Sequence, residues 1–141
     1  MISNLKSVTN KLGKPDSIMP GDDVHGSFYP GKFKFCYFKD ALFEKHGDTL
    51  VFESLGFKKS PGFYLICDKY KFDQTFTAAD FKKLFPNSYE NNELSGTSMD
   101  KYQWISLATA STPSVSEWDF LFDRNSGKIL SIEYYIAQKQ K

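Results

Sequence analysis

The sequence predicts an α+β fold built mainly from antiparallel strands, and three observations support this. First, 14 Phe and 8 Tyr among 141 residues favour sheet, where flat rings pack well on a pleated surface. Second, residues 116–136 alternate apolar and polar side chains on both sides of a Gly-containing turn, as a β-hairpin requires. Third, helix start and stop signals bracket only two short segments, at residues 2–12 and 77–85. With 40% hydrophobic residues, the chain can bury a core without disulfides or metals.

The predicted hairpin at residues 116–136 has one apolar face and one acidic face. Its first strand separates aromatic residues from carboxylates: Trp118, Phe120 and Phe122 against Glu117, Asp119 and Asp123. The returning strand continues the apolar face with Leu130, Ile132, Tyr134 and Ile136. The opposite face would also carry Leu121, Glu133 and Tyr135. This pattern is typical of a sheet with one dry face.

The first half of the chain is predicted to contain one helix, a loop and four strands. Apolar residues at spacings of three and four predict a helix at 2–12, which Gly13 and Pro15 end. Residues 16–31 contain two Pro and three Gly, so a loop is expected there. His46-Gly47-Asp48 is expected to turn a hairpin. The predicted strands are 32–39, 42–45, 49–54 and 63–72.

The second half begins with the clearest helix signal in the chain. Thr77 can cap the helix, Asp80 occupies its third position, and Phe76 can pack on Phe81. Pro86 should end this helix after about two turns. A polar connection at 87–100 then leads to strands 102–110, 116–123 and 128–136, which we expect to form a meander.

The two halves have the same order of elements, a helix followed by a polar loop and antiparallel strands. We therefore predict a single domain, 1–141, made of two helix-plus-sheet units in tandem. A duplication would give repeats at 1–72 and 73–141, although any α+β domain can show this order by chance.

Charge is uneven along a nearly neutral chain. The net charge is +1, which argues against a general attraction to nucleic acid or anionic membranes. Residues 86–123, however, hold six acidic residues and one lysine, a net charge of −5, which leaves +6 for the rest. This indicates an acidic patch, and the alternative is an ordinary solvated surface.

Residues 1–6 lack the apolar core of a leader, and no apolar run approaches the roughly 18 residues that span a bilayer. We expect a soluble cytoplasmic protein without membrane contact, or a periplasmic one if a leader was removed.

The sequence offers little catalytic or metal-binding chemistry. His25 and His46 have no ligand spacing around them, so neither a metal nor a cofactor is expected. Asp22 and Asp23 could orient His25 as a base, but no nucleophile motif lies nearby. We therefore predict that the chain is not an enzyme.

Two further patterns have alternative explanations. The alternation of Lys32, Lys34 and Lys39 with aromatic residues resembles a platform for single-stranded nucleic acid, but aromatic rings pointing inward with lysines at a protected edge explain it equally. Cys36 and Cys67 lie within predicted strands; buried free thiols are expected, and a cross-strand disulfide is the alternative.

Two motifs carry a family resemblance. They are Leu12-Gly13-Lys14-Pro15-Asp16, and the segment from His46 to Glu53 followed by Tyr64-Leu65-Ile66. This pattern resembles the superfamily of the β-lactamase inhibitory protein and the outer-membrane assembly lipoproteins, and small immunity-like proteins with a similar pattern. His46 stands where that pattern usually has Tyr, and a lipidated Cys is absent. The resemblance implies a curved antiparallel sheet with helices on one face and the other face open to grip a protein.

These observations predict a non-catalytic bacterial inhibitor or immunity protein that masks a toxin or enzyme. The alternatives are an envelope-associated assembly factor and, less favoured, a small hydrolase or nucleic-acid binder. Whether Tyr102 and Trp104 belong to the core or to the open face depends on strand register, which the sequence leaves open. The predicted protein-binding residues are Glu90, Glu93, Tyr102, Trp104, Glu117, Asp119, Glu133 and Tyr135.

Overall fold

The computed structural model describes residues 2–21, 32–59, 61–94, 100–111 and 114–137. In this part of the chain it has mostly antiparallel strands and three short helices, which confirms the predicted α+β class. The chain forms two compact units, Met1–Leu55 and Gly56–Lys141. The predicted single domain and internal repeat stay predictions.

The first unit is an antiparallel sheet with one helix. Its elements are β1 (Ile2–Asn4), α1 (Leu5–Leu12), β2 (Ser17–Pro20), β3 (Lys34–Phe38), β4 (Ala41–His46) and β5 (Thr49–Gly56). The strands β2, β3, β4 and β5 are neighbours in that order, and β1 also pairs with β5.

The first helix begins later than the spacing of apolar residues predicts. Ile2 pairs with Val51 in the sheet, and Asn4 is extended, with its side-chain oxygen accepting the Ser7 N–H at 2.8 Å. Because this N-cap satisfies a free helical donor, the helix starts at Leu5. It ends at Gly13, whose φ of 85° favours glycine, as expected.

The predicted loop at 16–31 is wrong over Ser17–Pro20, which is strand β2. It pairs with β3, from Ser17 opposite Tyr37 to Pro20 opposite Lys34. Pro20 masked this strand in the sequence, since proline within a sheet is confined to edges and strand ends. Residues 22–31 lie outside the described part, so the predicted grouping of Asp22 and Asp23 with His25 falls there too.

The expected turn between β4 and β5 is confirmed. Gly47 has a φ of 59°, and His46 pairs with Thr49 across the turn. The sheet buries residues on both faces: Cys36 stands opposite Phe43, while Phe35 stands opposite Glu44, and all four are buried. The prediction that β3 turns only its aromatic residues inward and holds its lysines at a protected edge is therefore wrong. This strand lies between β2 and β4.

The second unit contains a β-hairpin, two helices and a three-stranded meander. Its elements are β6 (Tyr64–Cys67), β7 (Tyr70–Asp73), α2 (Ala78–Leu84), α3 (Pro86–Leu94), β8 (Tyr102–Ser111), β9 (Ser114–Asp123) and β10 (Ile129–Ala137). The meander of β8, β9 and β10 is confirmed in antiparallel register, and β6 pairs with β7.

The predicted strand at 63–72 is instead the hairpin of β6 and β7. The chain reverses after Cys67, and Asp68 adopts a φ of 54°. Aspartate tolerates this conformation better than most residues, so a turn without Gly or Pro forms here.

The predicted helix start at Thr77 is confirmed as a capping box. The Asp80 N–H donates to the Thr77 hydroxyl at 3.2 Å, and the Thr77 N–H donates to the Asp80 carboxylate at 3.0 Å. Pro86 lies just beyond the end of α2, as predicted, but it is also the first residue of α3. The polar connection predicted from residue 87 was therefore wrong up to Leu94, because proline suits the first position of a helix.

The core of the second unit is a cluster of aromatic rings. Phe81 of α2 lies 5.0 Å from Phe120, and Phe72 of β7 lies 5.0 Å from the same ring, measured between centroids. Each fully buried ring contributes about 1.5–3 kcal/mol. The strand β10 contains a bulge between Ile129 and Ser131. Because of it, Ile129 is the buried residue opposite Phe122, where Leu130 was predicted to line the apolar face.

Candidate functional site

The register of the meander determines which residues share the surface opposite the aromatic core. Asp119 in the middle strand stands opposite Ser106 on one side and Glu133 on the other. Trp104 stands opposite Leu121, and successive residues of a strand point to opposite faces. We call this surface the acidic–aromatic face; its described residues include Tyr102, Trp104, Glu117, Asp119, Leu121 and Glu133.

Tyr102 and Trp104 fall on the same face as the predicted carboxylates. Their neighbour Ile105 points the other way, stands opposite Phe120 and is fully buried. Tyr102 and Trp104 are both half-buried. The register that the sequence left open thus groups these two rings with the acidic residues and away from the Phe120 cluster.

Asp119 is the most enclosed carboxylate of this face. Its side chain is 8% exposed, and its Oδ1 atom has no hydrogen-bond partner among the described residues. Glu133 lies across the strand pair from it. Buried acceptors are normally hydrogen-bonded, so an enclosed carboxylate oxygen without such a partner is unusual.

The outer edge of β8 is bound by a side chain. Asn92 of α3 donates from Nδ2 to the Ser106 carbonyl at 3.2 Å and accepts the Ser106 N–H at 3.2 Å. The amide therefore substitutes for a neighbouring strand at this point, which opposes edge-to-edge pairing there. Sequence reasoning missed this contact because it depends on the helix that was predicted as a loop.

The remaining predicted site residues are only partly placed. Glu90 is exposed on α3, two residues before Asn92, so the helical period points the two side chains in different directions. Tyr135 pairs with Glu117 by register, but its side chain lies outside the description, as does that of Glu93. The assignment of these residues to protein binding stays a prediction.

A second polar pair lies in the first unit. The His46 Nε2 atom is 2.9 Å from the Glu44 carboxylate, which is 2% exposed, and the imidazole stacks on Phe33 at 5.9 Å. The spacing Glu44-x-His46 within one strand is the signal that could have found this pair. Among the described residues, no group of His, Cys, Asp and Glu is placed to hold a metal ion.

Both cysteines are free thiols. Cys36 is buried, and burial raises the pKa of its thiol. Cys67 is half-buried near the end of β6.

No protein-family model, curated protein or solved structure significantly matches this chain. The resemblance to the superfamily of the β-lactamase inhibitory protein therefore stays a prediction. Within the described residues, no helix has the length and apolar character needed to cross a membrane.

Proposed function

We propose that this chain is a non-catalytic protein-binding domain of the inhibitor or immunity type, and that it masks a toxin or enzyme with its acidic–aromatic face. The observation that carries the proposal is the strand register, which groups half-buried Tyr102 and Trp104 with Glu117, Asp119 and Glu133.

This combination suits recognition of a basic protein surface. Binding energy at protein interfaces is concentrated in a few residues, of which Trp and Tyr are the commonest together with Arg. Carboxylates beside such rings attract a basic partner and raise its association rate. The half-buried carboxylates of Glu117 and Glu133 are accessible acceptors for a cationic donor on the partner.

The support beneath the face favours binding without rearrangement. The residues that alternate with it, Ile105, Phe120 and Ile132, are at most 1% exposed. A face held by packed strands loses little freedom when a partner docks, which raises affinity. In this proposal the helices lie on one side of a curved sheet and the partner on the other.

The proposal is tested by reversing two charges on the face. The chain is expressed in its native cell, the partner that co-purifies is identified, and binding is then measured with purified proteins. We expect Glu117→Lys with Glu133→Lys to slow association at least about tenfold at low salt and to reduce the salt dependence of the rate. Trp104→Ala should instead speed dissociation.

The control is Asp48→Lys, which reverses one charge at an exposed turn of the first unit and is compared with each single reversal on the face as well as with the double reversal. Its association rate should stay within about twofold of the original, since it lies outside the proposed face. Equal rates and equal salt dependence for the double reversal and the control would remove the acidic–aromatic face from the proposal.

A further inference from the structure

The second unit contains an apolar cavity of about 260 Å³. Its most buried walls are Phe72 of β7 and Trp118 and Phe120 of β9, which are 2%, 7% and 1% exposed. The half-buried residues around them are Cys67, Tyr70, Phe85 and Leu107. Trp118 and Phe120 point away from the acidic–aromatic face, so the cavity is a separate site on the other side of β9.

Ring-to-ring contacts hold the cavity walls in place. Tyr70 and Phe85 meet edge to face at 5.1 Å, and Trp118 packs on Tyr134 at 4.6 Å between centroids. Phe72 is fixed in the same way against Phe120. Such contacts favour a preformed cavity, which is the usual condition of a small-molecule site.

The size and lining of the cavity define the kind of molecule that fits. A cavity of about 150 Å³ in another protein holds one benzene ring, so 260 Å³ suits a molecule of two fused rings. The accessible surface of the lining is apolar, and one side of the cavity opens to solvent. A charged group placed inside would lose its hydration without compensation.

The two charges at the rim of the cavity are opposite in sign. Asp68 is an exposed lining residue at the turn after β6, and the Lys69 ammonium lies 5.4 Å above the Tyr70 ring. Together they give neither sign of ligand a clear advantage, so the cost of removing a charged group from water decides against both. From these observations we infer that the cavity binds a small uncharged aromatic molecule of about two fused rings. This inference is independent of the protein-binding face.

A matched series of ligands tests the inference. Indole, tryptamine and indole-3-acetate share one ring system and are neutral, cationic and anionic at pH 7. Isothermal titration calorimetry of the full chain should show indole binding at least about tenfold more tightly than either charged relative. Absence of indole binding at millimolar concentration, or tighter binding of either charged ligand, overturns the inference.

A pair of substitutions locates the binding. Cys67→Phe adds a ring inside the cavity and should weaken indole binding at least about tenfold. Ile66→Phe adds the same ring next to it on the outward side of β6, where Ile66 is 55% exposed, and should change binding by less than about twofold. Equal affinities for the two variants would show that indole binds elsewhere.

A measurement on the unsubstituted chain decides the matter even if Cys67→Phe does not fold. Cys67 is half-buried while Cys36 is fully buried, so a disulfide reagent should modify Cys67 first. Saturating indole should slow this reaction at least about fivefold. An unchanged rate at saturation contradicts binding in the cavity.

Discussion

The two units use antiparallel strands differently. In the first unit, Cys36 and Phe43 are buried on one face of the sheet, and Phe35 and Glu44 on the other. In the second unit, the meander buries one face around Phe120, and the other face carries half-buried polar and aromatic residues. An antiparallel sheet that packs its core on one face can present polar residues on the other, and the proposed binding residues lie on that second face of the meander.

Glu44 of the first unit and Asp119 of the second are buried carboxylates with different surroundings. Glu44 is 2% exposed and has the His46 imidazole at 2.9 Å, so the fold itself supplies a partner. Asp119 is 8% exposed, and its Oδ1 atom has no hydrogen-bond partner among the described residues. A buried carboxylate with a hydrogen-bond partner is typical of structure, whereas a buried acceptor without one is rare.

The largest expected effect concerns the aromatic core of the second unit. Phe81→Ala removes a fully buried ring of α2 that contacts Phe120, and should lower the free energy of unfolding by about 3–5 kcal/mol. Leu84→Ala on the same helix removes a side chain that is 42% exposed and should cost less than about 1.5 kcal/mol. Urea denaturation measures both, and similar losses would contradict the position of the core.

Breaking the buried pair of Glu44 and His46 in the first unit should have a smaller but measurable effect on stability. His46→Ala takes the imidazole away from the Glu44 carboxylate and should cost about 1–3 kcal/mol. A double-mutant cycle with Glu44→Gln isolates the coupling between the two side chains, which we expect to be at least about 0.5 kcal/mol. A coupling free energy near zero would mean that the pair does not stabilise the fold.

The same difference explains what could be predicted from the sequence. The strands of the meander were predictable because alternation over Glu117–Phe122 has one dry face and a turn containing Gly127 follows, whereas their register was not. The capping box at Thr77 was predictable because its chemistry is local. In the first unit, β2 went unrecognised because all four of its residues are exposed and it ends in Pro20, so it shows neither an apolar alternation nor the composition of an inner strand.

Other features required contacts between distant residues. The bond between Asn92 and Ser106 joins a helix to a strand edge, and no local pattern encodes it. The side of Trp104 depended on the pairing of β8 with β9, because a shift of one residue moves every side chain to the other face. The cavity beside Trp118 likewise exists only after β7 and β9 have come together.

The two N-caps offer a finer comparison between the units. Thr77 takes part in two reciprocal bonds with Asp80, whereas the side chain of Asn4 accepts one bond from Ser7. Thr77→Ala should therefore cost about 1–2 kcal/mol, and Asn4→Ala about 0.5–1 kcal/mol. Thermal and urea unfolding of both variants tests this order, and a larger loss at Asn4 would contradict it.

The smallest expected effect is a dependence of stability on pH, which arises from carboxyl groups in the turns and the helix cap of the second unit. The Thr75 hydroxyl and N–H, which donate at 2.6 and 2.9 Å, lower the pKa of Asp73 to about 2, and Lys71 adds to this at 3.0 Å. Bonds from Thr77 lower the pKa of Asp80, and bonds from Ser126 lower that of Asp123. A carboxyl group with a lower pKa when folded stabilises the fold above its unfolded pKa of about 3.9 and loses this contribution as the pH falls through the folded value.

The stability contributed by Asp73 should therefore be constant at neutral pH and disappear between about pH 4 and pH 2. Asp73→Asn should lower the urea midpoint at pH 7 and reduce its fall between pH 4 and pH 2, because one linked proton is no longer taken up. Asp48→Asn, which removes a carboxylate from an exposed turn of the first unit, controls for net charge. If the two variants show the same dependence of stability on pH, the bonds from Thr75 do not stabilise the charged form of Asp73. The turn carboxylates of the two units would then contribute alike to stability in acid.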